Sequence, residues 1–211
     1  PSDDAFVSDI GLMKSMGFNS LRKHIKVEPL RFYYHCDRLG MIVIQDMING
    51  GRPRSIIPNG VLSLLNIHLK DNHYRFFGRH EPASRKQYFE ELKEMLFHLY
   101  NVPSLAIWVP FNEAWGQFDS SSATDLIKRN DATRLIDHAS GWYDQNIGDF
   151  ASRHIYFSKL KFGKESHKKR INALTEFGGY ALKVEGHMHN PHDAFGYKVF
   201  HNKDQLLLAL N

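Results

Sequence analysis

The chain has 211 residues, of which 42% are hydrophobic and 24% charged, a composition typical of a globular domain and not of a disordered chain. The formal net charge is +4, and the basic residues are scattered except for the run 164–170 (KESHKKR), so no nucleic-acid partner is expected. The single cysteine excludes an intrachain disulfide, and the absence of a run of about 18 apolar residues excludes a membrane partner.

Helices and strands are predicted to alternate along the first part of the chain. Small polar residues, a proline and glycines mark where each helix begins and ends. The predicted elements are a helix from Asp3 to Gly17, a strand at 19–22 (NSLR), a helix from Pro29 to Gly40, and a strand at 41–45 (MIVIQ).

Residues 47–80 break this alternation, because glycine, proline and asparagine are frequent there. We predict a long loop insertion over about 47–80, and loops of this length are usually functional or disordered. The next helix has Ser84 as its predicted N-cap, since Gln87 three residues later completes a capping box. The later predictions are strands at 105–110 (LAIWVP), 134–137 (RLID), 154–157 (HIYF) and 172–175 (NALT), and helices at 121–128 and from Asn202 to Leu210.

About six strands that alternate with helices or loops indicate a parallel α/β fold, which we place in a single domain over residues 1–211. A doubly wound sheet would be one such fold, but no GxGxxG turn follows any predicted strand. The alternative is a (β/α)8 TIM barrel, which usually takes about 250 residues. The chain is shorter than that, so a truncated barrel is expected.

Two carboxylates directly follow predicted strands. Glu113 comes after Asn112 at the end of the strand 105–110, and Glu176 follows the strand 172–175. In a barrel, catalytic groups come from the carboxyl ends of the strands. Glycoside hydrolysis uses one protonated and one ionised carboxyl, about 5–5.5 Å apart in retaining enzymes and about 6.5–9.5 Å apart in inverting ones. The two residues are therefore candidates for such a pair.

The tryptophans near Glu113 suggest how it could act as an acid. Burial beside Trp108 and Trp115 is expected to raise the pKa of Glu113, as a general acid requires. Most glutamates are solvated, however, and an Asn-Glu dipeptide is often only the start of a helix.

Several segments resemble the family 2 glycoside hydrolases, the group that contains β-galactosidases, β-glucuronidases and β-mannosidases. The segment 101–113 (NVPSLAIWVPFNE) is similar to the acid/base signature of that family, and 175–180 (TEFGGY) to its nucleophile strand. The resemblance implies a retaining β-glycosidase in which Glu113 is the general acid/base and Glu176 the nucleophile. Three further segments resemble strands of the family's barrel, namely 17–24 (GFNSLRKH), 38–46 (RLGMIVIQD) and 139–142 (ASGW), and all the motifs occur along the chain in the same order as in the family.

The resemblance and the positions after strands give seven predicted sugar-binding residues, which are Arg22, His24, Asp46, Trp108, Asn112, Trp142 and Tyr156. Asn112 is expected to hold the 2-hydroxyl of the sugar. Asp46 fits a structural salt bridge equally well, and Trp142 could belong to the core. Tyr156 faces the same side of its strand as His154, so both point either into the site or into the core.

The expected chemistry requires no metal and no organic cofactor, and the expected partner is a carbohydrate substrate. A histidine-rich segment, His187, His189 and His192 with Asp193, suggests a metal site, but neither Cys nor Glu stands at ligand spacing. A loop beside the substrate entrance is the preferred interpretation. We find no Asn-x-Lys element of the kind that β-glucuronidases use for the uronate, which argues against a glucuronide substrate.

The resemblance also implies that the chain holds strands two to seven of the barrel and lacks the first and the eighth. We therefore expect this piece alone to be weakly active or inactive, and to rely on a homo-oligomer or on further domains. The alternative to an enzyme is a non-catalytic carbohydrate-binding barrel domain. The presence of both carboxylates favours the enzyme.

Overall fold

The computed structural model describes residues 1–48, 50–52, 69–157, 169–188, 190 and 195–210. Half of the predicted insertion at 47–80 lies outside the described residues, and the described part at 69–80 contains turns without a helix or strand. The described elements are α1 (Asp3–Ser15), β1 (Ser20–Lys23), α2 (Leu30–Leu39), β2 (Ile42–Asp46), α3 (Pro82–Leu99), β3 (Leu105–Val109), α4 (Ser120–Asn130), β4 (Leu135–Ile136), β5 (Phe150–Ile155), β6 (Ile171–Phe177), β7 (Tyr180–Leu182), β8 (Lys198–Phe200) and α5 (Lys203–Leu210).

The paired strands run parallel. Strands β1 to β4 form a four-stranded sheet in chain order, and β5–β6 and β7–β8 form two-stranded sheets. The backbone of Asp149 joins the first two sheets, because its N–H donates to Ile136 O at 2.8 Å and its carbonyl accepts from Ile171 N at 2.8 Å. This confirms the parallel α/β prediction. The described strands do not form a closed barrel, and the assignment of the chain to strands two to seven of a barrel stays a prediction.

The helix boundaries show which sequence signals were read correctly. The hydroxyl of Ser2 caps α1 by accepting from Ala5 N at 3.2 Å, and Gly40 ends α2 in the left-handed conformation at φ 68°. The predicted capping box at Ser84 is wrong, because α3 already begins at Pro82. Proline suits the first turn of a helix, where its missing N–H costs nothing. Among the described helices, none has the length and apolar character needed to cross a membrane.

Strand β4 is shorter than the predicted 134–137, whereas the strands after residue 149 are longer and more numerous than predicted. Strand β5 begins at Phe150, four residues before the predicted 154–157, and β7 and β8 were not predicted. Phe150 and Ala151 are buried while Arg153 is exposed, so this segment has no clear alternation to read from the sequence. Pairing with β6 defines the strand instead.

An aromatic cluster fixes the chain just beyond β3. The ring of Phe111 stacks on Tyr88 of α3 with centroids 5.0 Å apart and meets Phe118 edge-on at 5.7 Å. All three side chains are buried, and each such side chain contributes about 1.5–3 kcal/mol through burial. The hydroxyl of Tyr88 also donates to the carbonyl of Pro110. Helix α3 therefore holds the segment that carries the next two residues, Asn112 and Glu113.

Candidate active site

Polar side chains from several parallel strands gather where those strands end. Arg22 lies on β1, Asp46 ends β2, Glu113 follows β3, Tyr156 follows β5 and Glu176 lies near the end of β6. The carboxyl ends of parallel strands face the same side, which is how residues far apart in the chain come into contact. The contact between Arg22 and Glu176, for example, spans 154 positions of sequence.

Arg22 connects three side chains of the site, namely those of Asp46, Asn112 and Glu176. Its Nε and Nη2 donate to the two carboxylate oxygens of Asp46, each at 2.9 Å. Nη2 also donates to Asn112 Oδ1 at 2.8 Å, and Nη1 donates to Glu176 Oε1 at 2.8 Å. Burial lowers the pKa of Arg22, but Asp46 and Glu176 outweigh that effect and raise it. A permanent positive charge therefore lies against Glu176.

Glu113 is placed by an unusual stretch of backbone. Glu113 and Ala114 both adopt positive φ angles, of 46° and 62°, which is uncommon for residues other than glycine. Their position is held because Glu113 N donates to Ser140 O at 3.0 Å. Asn112 forms a parallel bridge with the same serine. The loop after β3 and the segment after β4 therefore support each other.

The side chain of Glu113 is mostly buried and accepts two hydrogen bonds. Its Oε1 lies 2.7 Å from His154 Nδ1 and 2.7 Å from the hydroxyl of Tyr156. Burial raises the pKa of Glu113, but the hydrogen bonds from His154 and Tyr156 outweigh it and lower the pKa below its ordinary value. The expectation of a raised pKa for Glu113 was wrong, because the sequence did not show the donors.

Tyr156 lies between the two candidate carboxylates. Its hydroxyl is 2.7 Å from Glu113 Oε1 and 2.5 Å from Glu176 Oε2. One carboxyl oxygen of each glutamate lies within 4.8 Å of the other. Burial and the two neighbouring carboxylates raise the pKa of Tyr156 far above its ordinary value, so the phenol keeps its proton near neutral pH.

Asp46 and His24 form the side of the site next to Arg22. Asp46 is buried and also accepts from Ile25 N at 3.2 Å and contacts His24 Nδ1 at 3.1 Å. Its carboxylate therefore serves protein groups, as the structural salt bridge requires, and a direct contact of Asp46 with a sugar stays a prediction. His24 is 48% exposed and lies 3.7 Å from Glu176 Oε1. The hydrogen bond to Asp46 raises the pKa of His24.

The two predicted tryptophans have different surroundings. Trp108 is fully buried, and its indole N–H donates to Asp131 Oδ2 at 2.9 Å at the end of α4. The structure does not bring Trp108 into the site, and its predicted sugar contact is corrected to a core position. Trp142 is partly buried against a small cluster that includes Ala114. It therefore lies beside the loop that carries Glu113.

Sequence reasoning left His154 out of the proposed site. Its side chain is fully buried, with Nδ1 on Glu113 and Nε2 3.1 Å from Ser140 Oγ. The signal was present, because alternation along a strand places His154 and Tyr156 on the same face. Their shared contact with Glu113 shows that both face the site.

Glu113, His154 and Glu176 each place a possible ligand atom within 4.8 Å of the others. The guanidinium of Arg22 already donates to Glu176 Oε1 and opposes a cation there, and the hydroxyl of Tyr156 lies within hydrogen-bond distance of both carboxylates. We therefore do not assign these side chains as metal ligands. In the histidine-rich segment, His189, His192 and Asp193 lie outside the described residues.

Parallel strands alternating with helices, with polar residues gathered at the strand ends, define an α/β protein and agree with the arrangement of active sites in TIM barrels. The sequence model of "Glycosyl hydrolases family 2, TIM barrel domain" matches residues 2–201, and the chain belongs to this family. The family resemblance inferred from the motifs is thereby confirmed.

Known relatives are much longer than this chain. A β-galactosidase of Aeromonas hydrophila is 27% identical over 146 residues, which is 69% of this chain and 12% of that protein. A β-galactosidase of Leuconostoc mesenteroides is 23% identical over 150 residues, again 12% of its length. The chain therefore spans about an eighth of the curated relatives that it matches.

Solved structures share the fold. A β-D-glucuronidase of Dictyoglomus thermophilum superposes with a TM-score of 0.63 at 16% identity, covering 94% of this chain and 36% of that one. A family 2 β-galacturonidase of Eisenbergiella tayi gives a TM-score of 0.62 at 18% identity, covering 94% and 35%. At these identities the likeness shows the α/β barrel fold.

Proposed function

We propose that this chain carries the catalytic centre of a retaining β-glycosidase, with Glu176 as nucleophile and Glu113 as general acid/base. The observation that carries the proposal is the pair of carboxyl oxygens within 4.8 Å of each other at the ends of two parallel strands. Such a close approach of one oxygen from each group supports the short carboxyl separation of about 5–5.5 Å used in retention over the wider one of inverting enzymes. Family membership supports the same reaction class.

In the first step, an oxygen of ionised Glu176 attacks the anomeric carbon of the sugar. The carbon–oxygen bond to the leaving group breaks, and the carboxyl proton of Glu113 moves to that leaving oxygen. The products are a free alcohol and a glycosyl ester on Glu176. The guanidinium of Arg22, 2.8 Å from Glu176 Oε1, supports the charged nucleophile before the attack.

In the second step, Glu113 acts as a base, because it gave up its proton in the first step. Glu113 is now a carboxylate and takes a proton from water, whose oxygen attacks the anomeric carbon. The ester bond breaks, which frees the sugar with retained configuration and returns the charge to Glu176. Asn112, oriented by its bond to Arg22, is the proposed contact for the 2-hydroxyl of the sugar.

The proposed substrate is a terminal β-linked sugar. The sequence relatives are β-galactosidases, and the structures with the same fold include a glucuronidase and a galacturonidase. The proposed sugar contacts besides Asn112 are His24, which lies 3.7 Å from Glu176 Oε1, and Trp142, which packs against the cluster that includes Ala114. We further propose that residues 1–211 form one catalytic barrel unit, weakly active or inactive by itself, whose full activity needs a second copy or further domains.

A mechanism-based label tests the nucleophile. A panel of 2,4-dinitrophenyl 2-deoxy-2-fluoro-β-D-glycosides, containing galactoside, glucoside, mannoside and glucuronide, is incubated with the chain and with a longer protein that contains it. Mass spectrometry of peptides is expected to find a fluoroglycosyl group on Glu176, because the fluorine slows release of the intermediate. The Glu176→Gln variant should lose both the label and turnover, while the matched control Glu185→Gln, at an exposed position, should keep both. Absence of label in both proteins, or label on another residue, would overturn the assignment.

A further inference from the structure

His154 forms a buried contact with Glu113 that the two-step reaction above does not use. Its side chain is fully buried, and Nδ1 lies 2.7 Å from Glu113 Oε1. The other ring nitrogen, Nε2, lies 3.1 Å from Ser140 Oγ, and that hydroxyl donates to Thr175 Oγ1 at 2.9 Å. The imidazole is therefore held from both ends, by the loop after β3 and by the segment after β4.

The backbone at Gly141 packs directly against the ring of His154. Gly141 has φ +89°, and a Cβ at this position would lie 2.3 Å from His154 Cγ and 2.5 Å from Nδ1. Only glycine both adopts this conformation easily and admits the ring. Gly141, Ser140 and β5 thus form a fitted slot that fixes the direction of Nδ1.

We propose that His154 is a positioning residue that orients the Glu113 carboxyl and stabilises its ionised form, the form that takes a proton from water in the second step. This inference rests on the proposed function and deepens it. Tyr156, the other side-chain donor to Glu113 among the described residues, also contacts Glu176. His154 forms its carboxylate hydrogen bond with Glu113 through Nδ1, because the other ring nitrogen, Nε2, is 3.7 Å from Glu176 Oε1, too far for a hydrogen bond.

The titratable and charged groups that face Glu113 come from four elements. His154 lies on β5 and Tyr156 directly follows that strand, and Glu176 lies on β6. Arg22 lies on β1, His24 directly follows β1, and Tyr197 directly precedes β8. Burial raises the pKa of Glu113, and the two hydrogen bonds reverse this. Removing the bond from His154 takes away a stabilising donor and leaves the burial in place, so Glu113 should keep its proton to higher pH.

Two substitutions separate the contacts of the ring. The side-chain nitrogen of His154→Asn occupies about the place of Nδ1 and retains a donor to Glu113, whereas that of His154→Gln matches Nε2 and retains the bond to Ser140. The kinetic probe is the 2,4-dinitrophenyl β-D-glycoside that the wild type hydrolyses fastest, because its good leaving group makes the second step limiting. We expect kcat to fall about tenfold in His154→Gln, far less than the 10²–10⁴-fold expected when the base itself is removed.

Azide distinguishes positioning from general damage to the fold. Azide attacks the glycosyl ester without needing a base, so it should restore turnover in His154→Gln, and His154→Asn should rescue kcat without azide. For a β-glycoside with a poor leaving group, whose departure needs the acid, the basic limb of kcat/KM should move to higher pH in His154→Gln, because a higher pKa of Glu113 keeps the acid protonated to higher pH. Equal losses in both variants, or a loss that azide does not restore, would contradict the proposal.

A measurement without substrate keeps this inference separate from the reaction. Glutamate labelled with ¹³C at the carboxyl carbon gives a titration curve for Glu113 by NMR, assigned with Glu113→Gln. The midpoint should be higher in His154→Gln than in the wild type and should return toward the wild-type value in His154→Asn. An unchanged midpoint in folded His154→Gln, verified by thermal unfolding, would overturn the role of His154 even if hydrolysis were found. If no glycoside were hydrolysed but the midpoint moved as expected, the proposed function alone would fail.

Discussion

Replacing Asp46 by asparagine removes one negative charge from the centre of the Arg22 network while keeping the shape of the side chain. In the wild type the carboxylate accepts two bonds from Arg22 and one from Ile25 N, and contacts His24 Nδ1. An amide offers one acceptor oxygen and turns an N–H₂ group toward the donors of Arg22. The guanidinium would then face a donor at a distance suited to an acceptor.

The burial of this pair sets the size of the effect. The side chain of Asp46 is 1% exposed and that of Arg22 is 13% exposed, so water screens the ion pair weakly. Removing one partner of a buried pair typically costs about 3–5 kcal/mol, and among the described residues Arg22 would keep only its pair with Glu176, whose side chain is 26% exposed. For a chain of this size, 1 kcal/mol corresponds to about 2–4 °C, so the melting temperature of Asp46→Asn should fall by about 6–20 °C.

Thermal and urea unfolding followed by circular dichroism measure this loss. The matched control is Glu90→Gln, which breaks the exposed pair Lys86–Glu90, whose side chains are 80% and 62% exposed. That change should cost no more than about 1 kcal/mol. If Asp46→Asn were as stable as Glu90→Gln, the argument that Asp46 is a buried structural partner of Arg22 would be refuted.

The slot around His154 and the ionisation of Asp131 give further expectations. Gly141→Ala should lower both kcat and the melting temperature, because its Cβ would lie 2.3 Å from the ring of His154, whereas Gly11→Ala, whose Cβ meets nothing within 4 Å, should stabilise α1 by up to about 1 kcal/mol. Thermal unfolding of both variants checks this, and equal stability changes would count against the slot. Burial raises the pKa of Asp131, but hydrogen bonds to its carboxylate, including that from Trp108, outweigh it and leave the pKa well below its ordinary value. Its contribution to stability is therefore present above the unfolded pKa of about 3.9 and is lost as the pH falls toward the lower folded pKa. Urea unfolding at neutral and acidic pH should show a smaller acid loss in Asp131→Asn than in the wild type, and identical losses would contradict the reasoning.

The sequence predicted the parallel α/β class and most helix ends, because those depend on local signals. Ser2 caps α1, and Gly40 ends α2, as their residue types indicate. It also indicated Glu113 and Glu176 as candidates, since each follows a strand in a recognisable motif. The family itself was read from the same motifs.

The direction of side chains could not be read in the same way. Trp108 belongs to the motif around Glu113, yet its indole faces Asp131 in the core. The ion pair of Arg22 with Asp46 and the contact of His154 with Glu113 join segments far apart in the chain, so no local pattern shows them. For the same reason the pKa of Glu113 was expected in the wrong direction, because burial was visible near the tryptophans while the donors were not.

The left-handed backbone at Glu113 and Ala114 affects the order in which the parts of the molecule fold. Each such conformation costs of order 1–3 kcal/mol, so this bend persists only while neighbouring bonds compensate for it. Those bonds come from Ser140, which accepts from Glu113 N and donates its own N–H to Phe111 O. The loop after β3 therefore cannot keep its native course until the segment after β4 has docked. During refolding, enzymatic competence should appear together with that docking or later, even when the helices and the first sheet are already formed.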